Sequence, residues 1–460
     1  MSGPAKRLTM EELDRLCRRR QAEGIAMPAY AGPLARHVED GDRRLLRLEY
    51  DDSAAALRLW NFLLTEEDRL HEARAAGKKI VGTMKDLGTV PVMAYALENL
   101  VAFYPDGAWW TPCVMELSEG LFGIAQSLGL GDAFCPVRAM AGAFVNRAHF
   151  PIPDLLTCSV GATCDDFSAV AQRLESIGFP ILWWEIPSRR RPDPGEAAVV
   201  LPGGFAAPQS QVALVRSELE RVRAALSDLA GLPLGDAELA AGIREANRVR
   251  AILADLRQAA YTADPCPMPA LEMLIAEMLA IHFCSDRAEA VAVLEELLDE
   301  VRRRAGRREG VLPQGAARLF WVNPVADLRV MNLVEDCGAR LAGTEYLFCH
   351  ALDPIPEDLP PMEALARTAL ADPMVGPSAD RAARIVRDAR AFGAEAVVVS
   401  RIPGASHCAL EGAVIGRIVR RELGLPLVEL EVPPVADPLW PTLRTRLEAL
   451  VETVLERRTR

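Results

Sequence analysis

The sequence predicts an α/β protein with two lobes, each built on a parallel sheet. A mainly helical middle segment joins the lobes, and an N-terminal helical extension precedes them. Short apolar, β-branched runs alternate with amphipathic stretches on both sides of the middle, which is typical of parallel strands covered by helices. The middle, residues 206–312, keeps helical periodicity but has few strand patterns. A chain of 460 residues is expected to form two or three domains.

The N-terminal extension, residues 1–75, is predicted to be helical because its apolar residues are three and four apart, as in Leu57–Leu70. Residues 76–205 are assigned to the first α/β lobe. Glycine or proline ends most of its elements, which fits the turns between strands and helices. In order, the predicted elements are the strand Lys78–Thr83, the helix Glu116–Leu128, the strand Leu155–Val160, the helix Asp166–Ile177 and a buried strand, Pro180–Pro187.

The alternation of strands and helices resumes in residues 313–460, which are assigned to the second α/β lobe. Gly424 is expected to end one helix before the last strand begins. The predicted helices of the middle segment are Ser210–Leu229, Asp236–Ala260, Ala270–Ile281 and Arg287–Arg303. The predicted elements of the second lobe are the strands Ala317–Val322, Glu395–Ser400 and Leu425–Val432 and the helices Leu410–Leu423 and Trp440–Arg457.

Composition excludes several classes of function. The formal net charge is −12, from 52 Lys and Arg against 64 Asp and Glu, so general nucleic-acid binding is not expected. Residues 1–20 contain no apolar run of a signal peptide, and no apolar run is long enough to span a membrane. We therefore expect a cytoplasmic protein whose ten cysteines are reduced. Neither a CxxC pair, a Walker A motif nor a strand-linked GxGxxG is present.

Three cysteines follow apolar runs beside Gly or Pro turns: Cys135 in FCPVR, Cys164 in GATCDD and Cys408 in ASHCALEG. This places each cysteine at the carboxyl edge of a parallel sheet, where α/β proteins bind their ligands. Cys408 and Cys164 also precede helices, and the start of a helix is expected to lower the pKa of a thiol. Three converging thiolates with one open position suit an iron–sulfur cubane whose fourth iron faces a substrate.

The ordered set of cysteine segments resembles the family of 2-hydroxyacyl-CoA dehydratases and benzoyl-CoA reductases, the 2-hydroxyglutaryl-CoA dehydratase D-component family. FCPVR is similar to the first ligand segment of that family, GATCDDF to the second and IPGASHCALEG to the third. The likeness spans roughly residues 75–455. Pro136, where Ser or Thr is common, and His407 before the third cysteine depart from the family pattern.

The resemblance implies two flavodoxin-like or Rossmann-like lobes with a [4Fe–4S] cluster in the cleft between them, held by Cys135, Cys164 and Cys408. It also implies a related family subunit or a second copy as partner, and an ATP-hydrolysing iron–sulfur activator that supplies a low-potential electron. The substrate would be an acyl-CoA, which is either dehydrated through a radical anion or reduced in an aromatic ring. Dehydration and ring reduction are not separated by the sequence.

Further residues are candidates for the site. His407 adjoins a predicted ligand and can tune the cluster, and Glu411 lies one turn into the same helix, so both are predicted to be catalytic. Arg189 and Arg190 follow a strand and are predicted to bind the phosphates of coenzyme A. Cys17 is expected on a surface helix, Cys158 in the core and Cys266 and Cys284 in packing.

Two alternative functions remain open. A homodimeric reductase with a double-cubane cluster needs about six cysteine ligands per chain, and Cys113, Cys158, Cys337 and Cys349 make that number possible. A scaffold without a cluster, docked beside an active subunit, is the alternative that is not an enzyme.

Overall fold

The computed structural model describes the whole chain except residues 1–6, 25–27, 29–31, 33, 40–42, 86–87, 107–118, 148 and 460. The side chains of Glu119, Cys349, His350 and Cys408 also lie outside the described part. The N-terminal extension is mainly helical, as predicted. Its elements are β1 (Arg7–Leu8), α1 (Met10–Ala22), α2 (Ala35–Glu39), β2 (Tyr50–Asp51), α3 (Ala54–Leu64) and α4 (Glu66–Ala75).

The helix α1 begins with a capping box in which Thr9 and Glu12 satisfy each other's backbone N–H groups. Its apolar face packs into the core, and Cys17 is completely buried on that face. The expectation of a surface position for Cys17 was therefore wrong. The prediction relied on the flanking arginines and overlooked an apolar stripe with helical spacing, to which Cys17, Met10 and Leu13 belong.

The first lobe contains a four-stranded parallel sheet with the strand order β4-β3-β5-β6. The strand β6 lies at the edge, and only Trp184 and Ile186 of its six residues are buried. The strand is therefore less buried than predicted, because Ile181, Leu182 and Trp183 are only half-buried at the open edge, where they pack against the core. The elements are β3 (Lys79–Met84), α5 (Val90–Tyr95), β4 (Leu100–Phe103), α6 (Glu119–Ser127), α7 (Ala139–Asn146), β5 (Leu155–Gly161), α8 (Asp165–Ser176) and β6 (Ile181–Ile186).

The middle segment is helical, as predicted, after a short antiparallel hairpin of β7 (Ala198–Val200) and β8 (Ala206–Pro208). All 13 residues of α11 are buried, so this helix packs on every side. Its carboxylate Glu277 is completely buried and pairs with Arg257 at 2.6 Å. The helices are α9 (Gln209–Ala230), α10 (Asp236–Thr262), α11 (Ala270–His282) and α12 (Arg287–Arg307).

The second lobe repeats the topology of the first, with a parallel sheet in the order β10-β9-β11-β12. Gly424 ends α17 with a φ of +61°, which glycine adopts without a steric cost. The elements are β9 (Ala317–Val322), α13 (Arg329–Asp336), β10 (Ala339–Glu345), α14 (Pro361–Leu370), α15 (Ser378–Ala391), β11 (Ala396–Arg401), α16 (Ser406–Leu410), α17 (Gly412–Leu423), β12 (Leu427–Glu431) and α18 (Trp440–Thr459).

Both sheets place the first strand between the second and the third, so each has a topological switch point between its first and third strands. Directly after the first strand of each sheet stands a residue with left-handed backbone: Lys85 (φ +50°) after β3 and Asn323 (φ +74°) after β9. The backbone or side chain of each of these two residues is hydrogen-bonded to the third strand of its sheet. Ser159 donates to the carbonyl of Lys85, and Asn323 donates to the carbonyl of Ser400 at 2.6 Å. Such strained positions in non-glycine residues occur preferentially at functional sites.

Candidate functional site

A cavity of about 120 Å³ lies between the two lobes, where the two switch points face each other. The carboxyl ends of six strands contribute to its wall, three from each sheet, and α11 closes one side. The described lining residues are Lys85, Asp106, Cys135, Val137, Cys164, Asp166, Phe167, Met278, Ile281, His282, Pro324, Tyr346, Leu347, Phe348, Met374, Ile402, Ala405, Ser406 and His407.

Cys164 is the residue before α8 and follows β5 through a short loop, as the sequence predicted. Burial raises the pKa of the Cys164 thiol, and the carboxylate of Asp166 raises it further. The backbone N–H groups of Phe167 and Asp166 donate to the sulfur and act in the opposite direction. The start of the helix therefore acts in the expected direction at Cys164, but burial outweighs the two N–H groups and the net shift of the pKa is upward.

Cys135 lines the same cavity and precedes a short 3₁₀ turn, Pro136–Arg138, and then α7. It is half-buried, and its backbone N–H donates to Oδ1 of Asp166 at 3.1 Å. Two of the three predicted ligands therefore share one cavity, although they lie on separate loops of the first lobe.

The segment of the third predicted ligand forms the opposite wall. The backbone of Cys408 lies in α16, and its side chain is outside the described residues. Its neighbours Ser406 and His407 line the cavity, and Oγ of Ser406 is 4.0 Å from Sγ of Cys164. Gly404 allows this approach. It has a φ of +80°, and a Cβ there would lie 2.5 Å from the carbonyl oxygen of Phe134.

The carboxylate of Asp166 contacts all three segments that carry the predicted cysteine ligands. Its Oδ1 accepts from the N–H of Cys135, and its Oδ2 accepts from the N–H of Ser406 at 3.2 Å. The thiol of Cys164 is 3.8 Å from the same Oδ2. Sequence reasoning missed this role, although a buried acid two residues after a cysteine, in the first turn of a helix, is a recognisable pattern.

A buried ion pair crosses between the lobes at the cavity. Nζ of Lys85, at the end of β3, is 3.0 Å from Oδ2 of Asp372 in the second lobe. Both side chains are almost completely buried. This pair was not predicted from the sequence, because the two residues are 287 positions apart.

Three further titratable groups border the cavity or lie near it. Burial raises the pKa of Asp106 to about 7 and that of Glu66 to about 7. Burial lowers the pKa of His282 to about 4, so its imidazole is neutral at pH 7. Oδ1 of Asp106 is buried, and none of the residues that the structure describes forms a hydrogen bond to it.

An Asp106→Asn substitution is expected to stabilise the folded protein at alkaline pH. The pKa of Asp106 rises from 3.8 to about 7 on folding, so the folded state holds a proton that the unfolded chain has released. The stabilisation from this proton is complete below the unfolded pKa and is lost as the pH rises through the folded pKa, by about 4 kcal/mol in total. The gain from the substitution should therefore be small at about pH 4 and largest at about pH 8.

Urea unfolding of both proteins at acidic and alkaline pH measures this difference. Asp299→Asn is the control, because Asp299 is exposed on α12. An equal effect of Asp106→Asn at both pH values would contradict the raised pKa.

The two residues predicted to be catalytic occupy different environments. His407 lines the cavity, and its Nδ1 is 3.4 Å from Oγ of Ser406. Burial lowers the pKa of His407, and the charge of Lys85 lowers it further. Glu411 is not among the lining residues. Its carboxylate accepts from Ser378 at 2.6 Å and from Arg381 at 2.7 Å.

The two arginines predicted to bind phosphate lie outside the cavity lining. Arg189 is buried, donates to the carbonyl of Leu370 and pairs with Asp380 at 3.3 Å, so it connects the loop after β6 to the second lobe. Arg190 is exposed and pairs with Glu196 at 2.6 Å. Their contact with coenzyme A stays a prediction.

The other cysteines are distributed through the fold. Cys158 is buried within β5, and Cys266 and Cys284 are buried in packing, as predicted. Cys337 precedes β10 and so lies at the amino edge of its sheet, opposite the cavity. Cys113 and the side chain of Cys349 are outside the described residues. Among the side chains that the structure describes, no three Cys, His, Asp or Glu groups surround a metal position.

No helix in the described part of the chain is both long enough and apolar enough to cross a membrane.

The sequence profile of the family described as 2-hydroxyglutaryl-CoA dehydratase, D-component, matches residues 93–454. No curated protein matches the sequence significantly. The profile match runs from α5 to α18 and includes Cys135, Cys164 and Cys408. It confirms the resemblance that the cysteine segments indicated and implies a component of a dehydratase-type enzyme. The chain therefore belongs to the 2-hydroxyglutaryl-CoA dehydratase D-component family.

Proposed function

We propose that this protein is the iron–sulfur subunit of a 2-hydroxyacyl-CoA dehydratase and that the cavity between its lobes holds a [4Fe–4S] cluster beside the acyl group. One observation carries the proposal: Cys135 and Cys164 line the same cavity, and the helix that bears Cys408 forms the opposite wall. Dehydration is preferred to ring reduction because the matching family is described as a dehydratase.

The donor set fits the cluster. Cys135 and Cys164 supply two thiols, and Cys408 would supply the third from the second lobe. Backbone N–H groups at the sulfur of Cys164 stabilise a thiolate there once a metal replaces its proton. When bound, the cluster would supply one-electron chemistry and a Lewis-acidic iron at its open position.

The described residues can supply the proton steps. Dehydration removes the hydroxyl group from C2 and a hydrogen from C3 and consumes no net electrons. A proton must therefore leave carbon and reach the departing oxygen. Asp106 borders the cavity and has a pKa of about 7, and such a group can both accept and donate a proton near neutrality.

The proposal includes two kinds of protein partner. A related family subunit, or a second copy of this chain, would complete the enzyme. An ATP-hydrolysing iron–sulfur activator would provide the low-potential electron that starts the reaction. Family membership supports both partners.

Iron and sulfide analysis of the anaerobically purified protein tests the proposal. We expect about four iron and four sulfide per chain, lost on exposure to air, and 2-hydroxyacyl-CoA dehydration when an activator and ATP are added. About eight iron per chain would favour the double-cubane reductase. A colourless protein after reconstitution with iron and sulfide would favour the scaffold and contradict the proposal.

A further inference from the structure

The cavity wall is mainly apolar, and both lobes contribute to it. Val137 and Phe167 come from the first lobe, and Leu347, Phe348 and Ile402 from the second. The buried helix α11 adds Met278 and Ile281. A wall of this kind gains free energy by covering apolar groups of a ligand.

The fixed positive charge among the described lining residues is already paired inside the protein. Lys85 is the one fixed cation among the lining residues that the structure describes, and its ammonium pairs with Asp372 at 3.0 Å. His282 adds no positive charge, because burial keeps it neutral at pH 7. The acidic groups Asp106 and Asp166 also face the cavity.

A second carboxylate on the acyl group would meet an unfavourable environment here. It would lose its hydration, and the ammonium of Lys85 would already be paired with Asp372. It would also lie near the acidic side chains of Asp106 and Asp166. Burying a carboxylate without a partner is costly, and a site can exclude a competing ligand in this way. An acyl group that ends in methyl meets none of these costs.

From this charge balance we propose that the cavity takes an uncharged, apolar 2-hydroxyacyl group, and that it disfavours a dicarboxylic one because the Lys85 ammonium is neutralised by Asp372. This inference rests on the proposed function and narrows its substrate class. It assigns a role in specificity to the Lys85–Asp372 pair, which connects the lobes at the switch point of the first sheet.

Two coenzyme A esters of equal carbon number form the test. 2-Hydroxypentanoyl-CoA carries a methyl group where 2-hydroxyglutaryl-CoA carries its second carboxylate, and the coenzyme A part is the same. Anaerobic calorimetry on the intact enzyme gives the ratio of their dissociation constants. We expect the pentanoyl ester to bind at least about tenfold more tightly.

Variants of the ion pair test the cause. Asp372→Asn frees the ammonium of Lys85, so the preference for the pentanoyl ester should fall by about tenfold. The double variant Lys85→Met with Asp372→Asn removes the freed cation and should restore the preference. Asp380→Asn is the matched control, because Asp380 also pairs with a cation of the first lobe, Arg189, but that cation does not line the cavity.

Equal or tighter binding of the glutaryl ester to the wild-type enzyme would overturn the inference and leave the proposed function standing. An unchanged preference in folded Asp372→Asn would overturn the role of the ion pair. Failure of both esters to bind would refute the proposed function and the inference together. The wild-type comparison needs no variant, so the inference can be tested even if Asp372→Asn does not fold.

Discussion

Serine in place of Cys135, Cys164 or Cys408 is expected to abolish the iron–sulfur chromophore in each single variant. A serine oxygen is a poor replacement for a thiolate on iron, and a cubane with one ligand missing is readily lost. The chain should stay folded, because each change only exchanges sulfur for oxygen and the large cores of both lobes keep their apolar residues. Iron and sulfide content after anaerobic purification measures the loss, and circular dichroism reports the fold.

Cys337→Ser is the matched control for these variants. Cys337 is half-buried, like Cys135, but lies at the amino edge of its sheet, opposite the cavity. Its iron content should equal that of the wild type. Full iron occupancy in Cys408→Ser would refute the assignment of the third ligand and restrict the site to the first lobe.

Asp166→Ala should weaken the contact between the two lobes at the cavity. The substitution leaves the N–H groups of Cys135 and Ser406 without their acceptor, and it removes the contact between the two lobes that they share. Hydrogen bonds to a charged group contribute about 1.5–3 kcal/mol each, so we expect a loss of about 3 kcal/mol of stability or more. Iron occupancy should fall as well, because the cavity walls lose the contact through Asp166.

Hydrogen exchange measured with and without the iron–sulfur cluster locates this effect. Protection should fall together in residues 134–138, 161–166 and 402–411, both in Asp166→Ala and in wild-type protein from which the cluster is removed. Asp165→Ala is the control. Asp165 lies in the same first turn of α8 and interacts with the same helix dipole, but it is exposed. A response confined to the first-lobe segments would show that Asp166 and the cluster do not couple the lobes.

The sequence by itself determined the local helices and strands and the loops that carry the predicted cysteine ligands. The strand β9 and the start of α18 match the predicted residues, and Gly424 ends its helix as expected. Apolar periodicity and glycine positions are local properties, so they can be recognised without the fold. The same local patterns predicted that Cys164 lies between a strand and a helix and that Cys408 follows a strand.

Only the tertiary structure decided which of these residues meet. Asp166 bonds to Ser406, 240 positions away, and Lys85 pairs with Asp372, 287 positions away. No periodicity encodes such contacts, because they depend on how the two sheets face each other. The edge position of β6 and the burial of Cys17 and Arg189 were also decided at this level. A residue type indicates what a side chain can do, and the packing of distant elements determines the environment in which it acts.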